Sequence, residues 1–243
     1  MLMDEYGAVL TASISEILST QREKIIIASQ MVKETIVNDG LVYVFGCGHS
    51  HILAEEAFYR AGGLACVAPV FAEPLMLHES ASKSSRIEKE SGHAEEVLRH
   101  IEPSPADTFI CVSTSGINGV PVEVAAAVKN KGVKLIGIAS DAYLEQKSRS
   151  RLGLHLQDIC HVCIDNGAPY GDACLQPEGL KIKMTPVSTV TGIFIINSIF
   201  AEAVESALRQ NVEPPVYLSG NITGGTEYNQ SLIKRYSDRI KCL

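Results

Sequence analysis

Along the chain, short apolar runs alternate with stretches whose apolar residues recur at helical spacing. Residues 4–38 carry Leu10, Ile14, Ile17, Leu18, Ile25, Ala28, Met31, Val32 and Ile36 at that spacing, and Asn38-Asp39-Gly40 ends them. They predict one long helix or two shorter ones, an apolar arm that needs a covering surface on the domain or on a second subunit. Leu41–Phe45 has the length and β-branched/aromatic content of a buried strand and breaks at Gly46-Cys47-Gly48. Leu53, Ala54, Ala57, Phe58 and Ala61 then mark a helix stopped by Gly62-Gly63. A strand over 64–68 closed by Pro69 follows, then an irregular-to-helical stretch over 70–91, a helix over 92–101 and a turn over 102–107. Further strands are predicted over 108–112, 133–139 and 159–164. Between them lie a helix with Pro121 in its first turn and Gly132 at its end, and a helical segment over 141–149. A long apolar helix starts near Pro186 and is broken by Pro214-Pro215, and a turn-rich tail leads to a last polar helix.

Strand alternating with helix predicts an α/β fold, a parallel sheet with helices on both faces. No repeat or linker divides the chain, so a helical arm (1–39) and one domain (40–243) are expected. The run Val187–Leu208 contains Ser188, Thr189, Asn197, Glu202 and Glu205 and reads as a buried helix, not a membrane span. Net charge is −7 and no Lys/Arg cluster stands out, which argues against nucleic acid as partner. An anionic ligand is then expected to rest on backbone amides and hydroxyls. The seven cysteines are an odd number, and no signal peptide opens the sequence, so reduced thiols in the cytoplasm are expected.

Candidate chemistry gathers at strand ends. Gly46-Cys47-Gly48-His49-Ser50 joins a strand to a helix N-terminus, a place where amides are free to hold an anion. A dinucleotide fingerprint is excluded, because His51 stands where the third glycine belongs and strand two ends without an acid. Without a Gly-Lys-Ser/Thr sequence there is no P-loop either. Ser113-Thr114-Ser115-Gly116-Ile117-Asn118 repeats the arrangement after a later strand, and two such turns on one sheet edge favour a neutral phosphate cradle. Ser188, in Thr185-Pro186-Val187-Ser188-Thr189, caps the long helix or adds to the cradle. Asp165, in Asp165-Asn166-Gly167, forms a turn or touches sugar hydroxyls. Cys160-His161-Val162-Cys163 lacks a second pair for zinc, and strand alternation is expected to send its cysteines to opposite faces. Glu56 and Arg60 are spaced for a surface ion pair, whereas Glu55, four residues after His51, is the better base.

On these two glycine/serine turns the chain resembles the sugar isomerase (SIS) domain family over roughly residues 38–210. It is most similar to small single-domain SIS proteins of the UPF0309 type and to phosphoheptose-like isomerases. The resemblance implies a three-layer α-β-α sandwich around a five-stranded parallel sheet of flavodoxin-like type. It implies phosphate contacts at Ser50, Ser113, Thr114, Ser115 and Asn118, with Gly48 and His49 beside them. His78, in Glu73-Pro-Leu-Met-Leu-His78-Glu79-Ser80, falls on a family loop histidine and would open the sugar ring, or simply anchor the loop. Glu79 joins Glu55 as a candidate catalytic carboxylate. Offsets that carry metal ligands in phosphoheptose isomerases hold Glu56 and Arg60 here, so no metal and no cofactor is expected. The family implies a phosphorylated sugar as ligand and a homodimer or homotetramer. The expected activity is aldose–ketose isomerisation, with a phosphosugar sensor or a sugar-phosphate lyase (etherase) as alternatives.

Overall fold

The computed structural model describes residues 1–243. Two N-terminal helices, α1 (Leu2–Thr20) and α2 (Arg22–Val37), precede β1 (Val42–Gly46). Then come α3 (Ile52–Ala57), β2 (Val67–Val70), α4 (Leu77–Ile87), α5 (Ala94–Leu98), β3 (Thr108–Val112), α6 (Gly119–Asn130) and β4 (Lys134–Ala139). The chain ends with α7 (Leu156–Ile159), β5 (Val162–Asp165), β6 (Ala173–Leu175), β7 (Met184–Pro186), α8 (Ser188–Leu208) and α9 (Gly225–Tyr236).

The five main strands form one parallel sheet in the order β2-β1-β3-β4-β5. This is the flavodoxin-like order, with helical layers on both faces, as the sequence predicts. Its strands read as continuous apolar runs because both faces are covered: Phe45, Phe109, Ile110, Ile136 and Ile138 are fully buried. One layer holds α2, α3 and α8, the other α5, α6 and α7. In α8 the buried stripe Thr191, Ile195, Ile199 and Ala203 recurs every fourth residue, and α2 offers Ala28, Val32 and Ile36 against it. That stripe makes α8 a core helix, although its length and hydropathy would suit a membrane. A hydroxyl pair, Thr35 Oγ1 and Thr108 Oγ1 at 2.8 Å, ties α2 to β3.

Several predicted boundaries move. The arm is two helices, and α2 belongs to the domain core, while α1 buries only Ile17. The first crossover helix stops at Ala57, because Phe58 is extended and Tyr59 has a left-handed φ of 42°. Pro69 lies inside β2 and does not close it; β2 is an edge strand, where a missing N–H costs no ladder bond. Residues 141–149 hold only a single 3₁₀ turn, Asp141–Tyr143. Ile159 ends a short helix, and the fifth strand starts three residues later. The hairpin β6–β7 was not foreseen, since three-residue strands carry no periodic signal.

Candidate functional site

The sheet order reverses between β1 and β3: β1 connects outward to β2 on one side, and the chain returns on the other to β3. At such a switch point a crevice opens beyond the strand carboxyl ends. Both glycine/serine turns lie there. After β1, Cys47 is extended, Gly48–His51 makes a 3₁₀ turn, and α3 starts at Ile52. After β3, Ser113 to Asn118 lead into α6, with Asn118 at the N-cap. The Gly116 amide is held by the Ser113 carbonyl (2.9 Å) and hydroxyl (3.3 Å), and its φ of 64° is one that a side chain would strain. The cleft between the turns has a volume of about 540 Å³. Gly48, His49, Ser50, Ser113, Thr114, Ser115, Asn118 and Ser188 all line it, so eight of the residues expected from sequence come together.

Four charged side chains in the same cleft were not anticipated: Glu88, Lys89, Arg149 and Asp172. Glu88 follows α4, on a segment pressed against the start of α6. A Cβ on Gly119 would stand 2.1 Å from the Glu90 carbonyl oxygen, and Val120 N donates to the Glu88 carbonyl at 3.1 Å. Only glycine at 119 permits this approach, which turns the Glu88 carboxylate inward. Asn118 Nδ2 donates to Glu88 Oε1 (2.9 Å), and Arg149 Nη1 donates to Asn118 Oδ1 (2.6 Å). The Asn118 side chain therefore bridges a carboxylate and a guanidinium. Burial pushes the Glu88 carboxyl above its ordinary range, against the opposing charges of Lys89 and Arg149. These two cations correct the expectation that amides and hydroxyls alone would face an anion.

On the far wall, Asp172 caps α8. Its Oδ1 accepts from Val187 N (3.0 Å) and Ser188 N (2.8 Å), and its Oδ2 from the Ser188 hydroxyl (2.6 Å). A carboxylate thus already occupies that helix N-terminus, and Ser188 serves as part of the cap.

The remaining candidates lie outside the cleft lining. The Glu55 carboxylate reaches His51 Nε2 at 3.1 Å. His78 is exposed, its nearest acid being Glu79 at 3.8 Å, and both project outward although Leu77 beside them lines the cleft. Asp165 Oδ1 accepts from Asp141 N (3.1 Å) and Gly167 N (3.0 Å), which is turn chemistry. Glu56 and Arg60 form the surface ion pair expected of them. The two cysteines of the C-x-x-C do not diverge. Cys160 precedes β5, and both sulfurs converge over Gly137, each 2.7 Å from where its Cβ would stand.

A parallel sheet of order 2-1-3-4-5 with two glycine/serine turns at its switch point defines a doubly wound α/β protein with a ligand crevice at its strand carboxyl ends. The chain belongs to the SIS domain family, whose signature covers residues 5–140. Within that family it is 43% identical to a UPF0309 protein of Listeria monocytogenes serotype 4b, over all of this chain and 98% of the relative. Among solved structures it is similar to the phosphoheptose isomerase GmhA from Neisseria gonorrhoeae (17% identity, TM-score 0.50, 85% of this chain and 99% of that one). It is also similar to the Vibrio vulnificus NanR protein complexed with ManNAc-6P (14% identity, TM-score 0.50, 100% of this chain and 70% of that one). At these identities the likeness is one of fold.

Proposed function

We propose that this protein binds a phosphorylated sugar at the switch-point cleft and isomerises it between aldose and ketose without a redox cofactor. The observation that carries the reading is the partly buried Glu88 carboxylate facing the same cleft as the two phosphate-type turns. Ser50, Ser113, Thr114 and Ser115 supply hydroxyls, and the turn amides supply N–H groups, to the phosphate. Glu88, not Glu55, is then the base: it takes the proton from C2 of the open-chain sugar and returns it to C1 through an enediol. Desolvation moves its proton affinity toward working pH, where a general base is most effective. His49 is the one imidazole lining the cleft and takes the ring-opening role in this reading in place of His78, whose side chain is exposed outside the lining.

Its neighbours in fold include a phosphoheptose isomerase and a protein complexed with ManNAc-6P, which supports a phosphosugar as ligand. The exposed apolar residues Leu2 and Met3 on α1 and Ile26 and Ile27 on α2 favour a homodimer, and the seven free thiols fit a cytoplasmic location.

Proton exchange at C2 in deuterated water, across hexose, heptose and amino-sugar phosphates, tests the reading. Exchange with ketose formation, abolished in Glu88→Gln, is the expected result. Loss of a substituent without ketose means a lyase, and binding without exchange means a sensor. Either outcome overturns the isomerase.

A further inference from the structure

The cleft joins its anion turn to its carboxylate through one side chain. Asn118 is 7% exposed, caps the helix that follows Ser113–Ser115, and is hydrogen-bonded at both ends, to Glu88 and to Arg149. Arg149 is held from its other side as well, its backbone N–H donating to Ile117 O in the same turn (2.8 Å). One guanidinium N–H is committed to Asn118; the rest of the fork belongs to a side chain that lines the cleft beside the serines. A phosphate on Ser113–Ser115 is therefore within the field of Arg149, and Arg149 is one Asn118 away from Glu88.

We propose that Arg149 is a positioning residue that couples phosphate occupancy to the proton affinity of Glu88, so that the substrate's own phosphate completes the base. The inference rests on the reading of the cleft as a phosphosugar site. Its physical basis is charge compensation. In the free protein Arg149 and Lys89 favour the ionised Glu88 and partly offset the effect of burial. A bound dianion draws that positive field to itself, and the Glu88 carboxylate is left with desolvation alone, a stronger base. The other groups about Glu88 are the Cys47 thiol, buried and held protonated, with His49 and Asp172 on the cleft walls. None of these bridges the turn and the carboxylate as Asn118 does. A sugar lacking the phosphate would meet a weaker base, so the device selects phosphorylated substrates by rate as well as by binding.

Coupling is reciprocal: if phosphate raises the proton affinity of Glu88, a neutral residue 88 must tighten phosphate. Inorganic phosphate titrated calorimetrically into the full chain at pH 8 gives the test as a double-mutant cycle. Glu88→Gln is expected to bind phosphate about fivefold more tightly than wild type, or more. Arg149→Gln binds it more weakly, and adding Glu88→Gln to Arg149→Gln is expected to recover little. In parallel, carboxyl NMR of labelled glutamate is expected to show the Glu88 titration moving upward with saturating phosphate in wild type but not in Arg149→Gln. An equal gain from Glu88→Gln in both backgrounds means simple repulsion between carboxylate and phosphate, and overturns the coupling while leaving the site. Phosphate that fails to shift the Ser113–Asn118 amides overturns both.

Discussion

The Glu55 carboxylate stands 3.1 Å from His51 Nε2, while the other nitrogen of the same ring, Nδ1, contacts the Gly48 carbonyl oxygen. His51 is 5% exposed, so the ring is a strut between the helix after the first turn and the turn itself. Both ring nitrogens face oxygen, and the Nε2–Oε1 contact needs a proton that either partner can carry. Spacing alone had made Glu55 a base candidate; the geometry makes it a holder of the Gly48 turn.

The first prediction separates those roles. In Glu55→Gln a carboxamide N–H donates to Nε2 while Nδ1–H keeps the Gly48 carbonyl, so the strut survives. C2 exchange is expected to stay within about threefold of wild type, whereas removing a true base costs about a hundredfold or more. Glu55→Ala leaves the imidazole nitrogen unpartnered and is expected to cost about 1 kcal/mol in chemical denaturation. A Glu55→Gln variant that folds, binds phosphosugar and exchanges nothing would sink this assignment.

Gly119 sets the second prediction. The 89–90 backbone lies where its side chain would be, the Glu90 carbonyl oxygen 2.1 Å from the Cβ position, and Glu88, the proposed base, stands two residues before that contact. Gly119→Ala must push the segment away from α6. Strain of this kind costs about 1–3 kcal/mol, and C2 exchange is expected to fall by more than binding of inorganic phosphate does. Equal losses of both would mean that the turn itself, not Glu88, had moved.

The fold and the two glycine/serine turns were legible because each is written locally. Five apolar runs bounded by turn residues announce a parallel sheet, and glycine and serine just after β1 and β3 announce free helix amides at its switch point. Glu88 was not legible. It sits among Lys89, Glu90, Glu95 and Glu96, a run that reads as a solvated surface, and only the tertiary contact with Gly119 turns it inward. Arg149 was hidden for a similar reason: helical patterning was expected over 141–149, and the irregular chain found there is what carries its guanidinium to Asn118. The sequence signal nearest to the missed carboxylate was Gly119 itself, an unneeded glycine at the first position of a helix. The expected divergence of Cys160 and Cys163 failed by two residues of register, because β5 starts after Cys160 and alternation does not apply to it.

The third prediction concerns the phosphate. Ser113→Ala combined with Ser115→Ala removes two hydroxyls from the turn while the Ser113 carbonyl keeps the Gly116 amide. A hydrogen bond to a charged group contributes about 1.5–3 kcal/mol, so phosphosugar affinity is expected to fall by about a hundredfold or more with little change in denaturation midpoint. Affinity at the wild-type level would place the phosphate elsewhere.

The last prediction is about acid. Asp39, with a left-handed φ of 54°, ends the turn before β1 and receives Arg235 Nε (3.0 Å) and Nη2 (2.6 Å) on Oδ1 and Arg239 Nη2 (3.2 Å) on Oδ2. Both guanidinium groups lie over the Tyr236 ring, at 5.2 and 5.0 Å. This knot fastens the C-terminal helix to the start of the sheet. Partial burial pushes the Asp39 carboxyl up, but the Arg235 hydrogen bond and the charges of Arg239 and Arg235 outweigh it, and the net direction is down from 3.8. A depressed acid binds fewer protons folded than unfolded, so its contribution is present above the unfolded value and is lost as pH falls through the folded one. Asp39 is about half exposed, which screens the pairs and keeps the contribution near 1 kcal/mol. Asp39→Asn is therefore expected to be less stable than wild type by about that amount at pH 7, with the gap closing below pH 3.8 and narrowing in high salt. Hydrogen exchange over 225–243 is expected to rise in the variant at pH 7. A gap that persists unchanged at pH 2 would assign the effect to backbone strain at residue 39 and not to the charges.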